Sequence, residues 1–445
     1  MDTNARRRQR GGGAFSRGPK WAVAGAVALI VLAAAALVAF LAFPSKRPSR
    51  PTAPPPAFRP PSLPTPGTGA FVQAGGWPGA RAYNSYAYVI VGTEFAARAA
   101  HVLGRSLVYF ASVDVNTNWN AGVSYRQAVA HGWLLRDSSG NLLVNKGYPN
   151  NYVGDVGSPA YQQAWLRNVL AFLRSHGDDG VFIDDVLRDL LPLAGSEAAK
   201  YPTQQAWAAA QLSFVRAVGP ALRAHGYYVL LNASGYIPGN DASNDGSSTN
   251  EWWRQLAPSV SGMLNEYYQE LPDGSNRLRS NGGEWTQNWA RWQRLITTAQ
   301  SLGKDFVGLT YGPSDDTTRM SYGKASFLLD WNGGGGAFIY QPDDDHDANP
   351  WNPAWTADIG HPTAAKQQIG TGWLRRYSDG VALLNPDPSN SQTFQLGGDY
   401  LTPDGHTVNQ ITLQPTTGLI LSSHVPARVS ASAKPPASLP PGARP

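Results

Sequence analysis

Eight short apolar runs alternate with stretches of helical period along the middle of the chain. The pattern turns to strict alternation after about His361, and one charge-free run lies near the start. Together these observations predict an α/β fold: a (β/α)8 TIM barrel with a small C-terminal antiparallel β domain, preceded by one transmembrane helix.

The N-terminal part comes first. Residues 21–43 carry neither a charge nor a proline, over the length of roughly 20 residues that a bilayer core demands. Arg6, Arg7, Arg8, Arg10, Arg17 and Lys20 precede the run, and Lys46, Arg47 and Arg50 follow it. The denser N-terminal cluster should stay cytoplasmic, which places the body outside as a single-pass cell-membrane protein. A cleavable signal peptide is the competing reading, but its apolar region is shorter, and no small-x-small site follows Phe43. Residues 44–70, rich in Pro, Ser and Thr, read as a stalk, and residues 426–445 as a disordered tail of similar composition. The nine flanking cations exceed the whole net charge of +5, so the rest of the chain has no nucleic-acid footprint. Absence of Cys excludes disulfides, thiolate catalysis and Cys-based zinc sites.

Residues 71–365 carry the barrel. The runs read as strands are YAYVIVG (86–92), SLVYFASVDV (106–115), GWLLRD (132–137), GVFIDD (180–185), YYVLLNAS (227–234), SGMLNEYY (261–268), DFVGLTYG (305–312) and GAFIYQ (336–341). Continuous apolar runs suit strands buried on both faces. The stretches before the fourth and before the fifth have helical period and close on His-Gly, a helix stop. An open doubly wound sheet would carry a Gly-rich phosphate turn after its first strand, and none is present. GGGG at 333–336 precedes a strand, so it reads as a place where backbone approaches closely or flexes. Residues 366–425, with Asp-Gly and Thr-Gly turns between alternating runs, read as the β domain.

Barrel chemistry sits at the C-terminal strand ends. Those ends present Asp114, Asp137, Asp184 with Asp185, Asn232, Glu266, Tyr311 and Gln341. This is a set suited to holding and cleaving a sugar, and no His ends any strand. Glycoside hydrolysis needs two carboxyl groups across the scissile bond. Asp184, at the end of the buried run GVFI, is the first. Its alternative is a carboxylate capping the next helix. Glu266 is the second, with Asp114 and Glu251 as rivals. Asp185 turns the other way by strand alternation and is kept among the sugar contacts. Asp114, Asn232, Tyr311 and Gln341 join it there. Trp119, Trp252, Trp253 and Trp331 lie near expected strand ends or mouth loops, and at least one should line the cleft. The run DDDHD at 343–347 suits a hard cation or, more simply, a solvated acidic loop. No metal and no cofactor is expected.

GDDGVFIDDV, HGWLLRDSSGN, DVGSPAYQQAWL, LNASG and GMLNEYY, in this order, resemble hypothetical glycosyl hydrolase family 15, a barrel group distinct from the glucoamylases. They are more distantly similar to the endo-α-1,4-polygalactosaminidase barrels and the α-galactosidase clan. The resemblance runs from about Tyr86 to Leu421. It implies a glycoside hydrolase, with a catalytic carboxylate at Asp184 and an acid/base at Glu266; the expected reaction is a two-carboxylate, retaining hydrolysis of an extracellular or cell-envelope polysaccharide. In the α-galactosidase clan that second position is an Asp. A non-catalytic carbohydrate-binding barrel and a metal-dependent polysaccharide hydrolase or deacetylase are the alternatives.

Overall fold

The computed structural model describes residues 63–72, 80–119, 122–233, 247–271, 277–282, 288–343 and 351–423. Eight parallel strands close into a barrel, in the spatial order β1-β10-β9-β8-β7-β6-β3-β2. They are β1 (Thr65–Val72), β2 (Tyr86–Val91), β3 (Arg105–Ala111), β6 (Gly180–Asp184), β7 (Tyr228–Asn232), β8 (Gly262–Glu266), β9 (Asp305–Gly312) and β10 (Ala337–Pro342). Two short strands, β4 (Asp114–Asn116) and β5 (Asn151–Val153), pair as a separate antiparallel ribbon.

Two expectations about strands change. TPGTGAFV is β1, although its composition led most of it to be assigned to the stalk. Its glycines serve packing: a Cβ on Gly69 would lie 2.9 Å from Ile339 Cγ1 on β10. GWLLRD is not a barrel strand. Leu134 and Arg136 form isolated antiparallel bridges with Gly154 and Leu142, in the excursion between β3 and β6. The run looked like a strand because Trp133, Leu135 and Leu143 are buried all the same. Asp184 therefore still ends the fourth barrel strand and Glu266 the sixth.

Alternation sends one side chain in two into the barrel. Phe71, Ile90, Leu107, Phe182, Leu230, Leu264, Val307, Leu309 and Ile339 fill its interior, and burying each such side chain is worth about 1.5–3 kcal/mol. At the N-terminal end Tyr88 and Tyr228 donate their phenols to Asp305, and Arg105 lies 4.0 Å over the Tyr228 ring. Gly336, at φ 102°, passes so close to β9 that a Cβ there would meet Phe306 O at 2.4 Å. That is the close approach expected of GGGG. With the bottom plugged, the polar side chains two residues further up every second strand have only the other end to face.

The C-terminal residues form a six-stranded antiparallel sheet, in the order β11-β12-β13-β16-β14-β15. Its strands are β11 (Gln367–Ile369), β12 (Gly372–Tyr377), β13 (Gly380–Asn385), β14 (Gln392–Leu401), β15 (Thr407–Leu413) and β16 (Thr417–Ser422). The sheet packs on the barrel helix Thr317–Asp330 through β13 and β16. The last carbonyls of a helix have no partner within it. Here Arg375 on β12 donates to Leu328 O and Leu329 O at 3.0 Å and to Trp331 O at 2.6 Å, and Tyr377 donates to Leu328 O. Among the described residues no helix is long and apolar enough to cross a membrane, and residues 21–43 lie outside them.

Candidate active site

The mouth begins where the interior layers turn from apolar to polar. Following the inward face upward, Tyr109 on β3, Asp184 on β6, Asn232 on β7, Glu266 on β8, Tyr311 on β9 and Gln341 on β10 form one ring.

One amide organises the ring. Asn232 Nδ2 donates 2.8 Å bonds to Asp184 Oδ1 and to Glu266 Oε2. The two N–H bonds of an amide diverge by about 120°, which puts the accepting oxygens about 4.8 Å apart and in no case more than about 5.6 Å. Asp184 also accepts from the Tyr109 phenol at 2.7 Å and from the Asp185 N–H at 2.9 Å. Burial and the charges of Asp184, Asp185 and Asp114 push the Tyr109 phenol up, so it stays a donor. All three of these bonds are accepted by Asp184, the set an attacking carboxylate needs. Glu266 accepts from the Tyr311 phenol at 2.9 Å. Burial, reinforced by the charge on Asp184, raises the Glu266 carboxyl to about 7, against the pull of Asn232 and Tyr311. Among the described residues Asp184 thus accepts three bonds, and Glu266, which accepts two, keeps a proton near neutrality. This division of roles is what acid and nucleophile require.

Two further acids stand close. Asp114 lies on β4 rather than at the end of the second strand, because β3 stops at Ala111. Its carboxylate accepts from Asn145 at 3.3 Å and from Asn151. Burial first, and then the charge on Asp184, raise it to about 7. Asp185 does not turn away as strand alternation would have it. It lies one residue past the strand in the left-handed region, at φ 57°, so the strand rule no longer applies. Burial and the charges of Asp184, Asp114 and Glu266 push its carboxyl well up. Tyr267, immediately after Glu266, adopts the same φ of 57°. A bulky side chain is strained there, and such strain concentrates at functional sites. Both carboxylate strands therefore end on a sharp turn that leaves the carboxylate at the very tip.

The tryptophans divide. Trp119 is 36% exposed and packs against Tyr109, with ring centroids 5.9 Å apart, beside Asp184. Trp252 and Trp253 are buried on the helix Ser247–Leu256, and Trp253 donates to Ala233 O. Trp331 is buried at the opposite end of the barrel, donating to Gly335 O just before β10. These three are core side chains filling space under the helices, and they do not line the cleft. Glu251 is an exposed helix residue near Arg254 and has no apolar wall around it. Asp137 is half-buried in the excursion after β3, where it closes a turn onto Asn141. Gln341 is buried on the inward face of β10. Of the acidic run 343–347 only Asp343 is among the described residues, and among those no group of three or more His, Asp or Glu is arranged to hold a metal ion.

Reading strands from the sequence missed Tyr109, although it lies two residues before the end of β3 and faces inward. Extending the strand to Val115 hid that end. Tyr148 was missed as well. It is 40% exposed, on the excursion, within electrostatic reach of Glu266, Asp185, Asp184 and Asp114.

A closed parallel barrel with a bridged carboxylate pair at its C-terminal mouth is the architecture of a barrel glycoside hydrolase. The model of hypothetical glycosyl hydrolase family 15 matches residues 108–381, and the chain belongs to this family of glycoside hydrolases. Similar solved structures include the glycoside hydrolase domain of PelA from Pseudomonas aeruginosa (14% identity, TM-score 0.42, 63% of this chain and 97% of that one). Another is an α-amylase from Malbranchea cinnamomea (11% identity, TM-score 0.45, 80% and 96%). A third is the maltogenic α-amylase AmyB from Thermotoga neapolitana (11% identity, TM-score 0.44, 80% and 98%). No curated protein matches the chain.

The bridging amide makes a testable demand on Asn232→Asp. A third carboxylate between Asp184 and Glu266 forces the folded protein to hold a proton that the unfolded chain gives up near pH 4. The folded state then binds more protons, so its stability falls as pH rises. Chemical denaturation should show a deficit against the parent of about 2 kcal/mol or more at pH 8, and a smaller one at pH 5. An equal deficit at both pH values would contradict the bridge.

Proposed function

We propose that the protein is a retaining glycosidase of an extracellular or cell-envelope polysaccharide, with Asp184 as nucleophile and Glu266 as general acid/base. The observation that carries this reading is the shared Asn232 amide. It brings one oxygen of each carboxyl group to about 4.8 Å from the other, which supports the close spacing of retaining pairs, roughly 5–5.5 Å, over the roughly 6.5–9.5 Å that an inverting pair needs for its water.

The chemistry runs in two displacements. An Asp184 oxygen attacks the anomeric carbon while Glu266 gives its proton to the glycosidic oxygen, which leaves as an alcohol. Glu266, now a carboxylate, takes a proton from water. That water's oxygen attacks the anomeric carbon and frees Asp184. Tyr109 and the Asp185 N–H orient the attacking carboxylate throughout. Trp119 and Tyr148 offer ring faces for the apolar sides of sugar rings. Asp114, Asp185 and Gln341 are the polar contacts for sugar hydroxyls.

The mutational signature separates the roles. Asp184→Asn should remove nearly all activity on every substrate, because an amide cannot form the glycosyl-enzyme. Glu266→Gln should lose about 10²–10⁴-fold on a polysaccharide, yet spare aryl glycosides whose leaving group needs little protonation. On the polysaccharide, kcat/KM should fall about tenfold per pH unit above about 7, as Glu266 loses the proton it must donate. A Glu266→Gln variant equally impaired on both substrate types would remove Glu266 from this role.

We also propose that residues 21–43 anchor the protein in the cell membrane with the body outside. The Arg cluster ahead of the charge-free run supports this. Protease added to intact cells should then release the body, cut within the Pro-rich stretch from about residue 44. A body protected until the cells are lysed would reverse the orientation.

A further inference from the structure

Tyr311 reaches past the strand that ought to pair with it. β8 ends at Glu266, opposite Leu309, and the chain then swings away through the left-handed turn at Tyr267. In a strand the N–H and C=O of one residue point to the same side. Those of Leu309 point toward β8, where Leu309 O still accepts from Tyr268 N. Those of Tyr311, two residues on, point the same way and find no strand.

A buried ion pair takes the strand's place. Glu270 Oε1 accepts the Tyr311 N–H at 2.9 Å, and Arg319 Nη1 donates to Tyr311 O at 3.1 Å. The two side chains meet each other at 2.8 Å, with 3% and 4% of their side-chain surface exposed. Arg319 sits in the first turn of the helix Thr317–Asp330, where its Nε also meets Asp316 at 3.3 Å. A buried ion pair is a costly way to gain stability, because desolvation consumes much of the attraction. This one grips both backbone groups of the residue whose phenol touches Glu266.

We propose that Glu270 and Arg319 are a positioning pair which, by clamping the Tyr311 backbone, holds the Tyr311 phenol on Glu266 and so sets the acidity of the general acid. The inference rests on the reading of Glu266 as acid/base. A phenol that donates to a carboxylate favours its ionised form. Loosening the clamp should therefore make Glu266 hold its proton more tightly. Among the described residues, the groups facing Glu266 are Asp184 on β6, Asn232 on β7, Tyr311 on β9, Tyr267, and Tyr148 and Asp185 over the mouth.

The test titrates Glu266 directly in the full chain. There are only six Glu residues, so labelling their side-chain carboxyls with ¹³C gives a spectrum in which Glu266→Gln identifies the signal of interest. Tyr311→Phe should raise the Glu266 midpoint by about one pH unit. Glu270→Ala, which removes the acceptor of the Tyr311 N–H and the partner of Arg319, should raise it in the same direction, and the double variant should go no further than Tyr311→Phe alone. The variant takes away no donor of Glu266 directly, so a rise reports the lost clamp. A folded Glu270→Ala protein whose Glu266 midpoint is unmoved or lowered overturns the proposal. If Glu270→Ala does not fold, Arg319→Lys keeps a cation beside Glu270 but gives up the fork that reaches Tyr311 O, and the same rise or its absence decides. Full polysaccharide hydrolysis by Glu266→Gln would instead overturn the role of Glu266, leaving the clamp to be judged on the titration.

Discussion

The mouth of this barrel is organised around one constraint: two carboxyl groups must sit close enough to share a glycosidic bond without driving each other apart. At about 5 Å and an effective dielectric of about 20, two unit charges repel by about 3 kcal/mol. A hydrogen bond to a charged group returns about 1.5–3 kcal/mol, so the two bonds from Asn232 are of the size needed to offset the repulsion. The offset does not reach every acid. Asp184 has three donors, whereas Glu266, Asp114 and Asp185 are all pushed toward protonation by burial and by nearby charge. Under the proposed roles, similar groups are told apart by burial, by neighbouring charge and by the number of hydrogen bonds each accepts.

Rigidity comes from below and from the sides. The apolar interior and the Asp305 plug close the barrel beneath the site. The strand tips carry Asp184 and Glu266 on residues that end regular structure, each followed by a left-handed turn. The chain leaves each tip at once, which keeps main-chain atoms out of the space a sugar would occupy. The C-terminal sheet is tied to the carbonyl end of a barrel helix whose other end carries Arg319, so the two ends of that helix serve the fold and the mouth separately.

Much of this was legible in the sequence. Runs buried on both faces revealed seven of the eight barrel strands, and strand-end reasoning brought Asp184, Asn232, Glu266, Tyr311 and Gln341 to one ring. What failed has local causes. TPGTGAFV looks like a linker because its glycines satisfy a packing demand from β10 that no local pattern expresses. GWLLRD looks like a strand because burial, which apolar runs report, is not the same as barrel pairing. Trp252, Trp253 and Trp331 have the residue type of a sugar platform, but their depth depends on tertiary contacts. The Glu270–Arg319 pair spans 49 residues of sequence and becomes visible only when β9 overhangs β8.

The spacing of Asp184 and Glu266 decides between retention and inversion, and stereochemistry reads that spacing out. Proton NMR of the first product released from a hydrolysed polysaccharide, recorded before mutarotation, gives the configuration of the new anomeric centre. A pair bridged by one amide leaves no room for a water between the carboxylate and the sugar, so the configuration of the cleaved bond should be retained. An inverted product would show that water, not Asp184, meets the anomeric carbon, and would contradict the account.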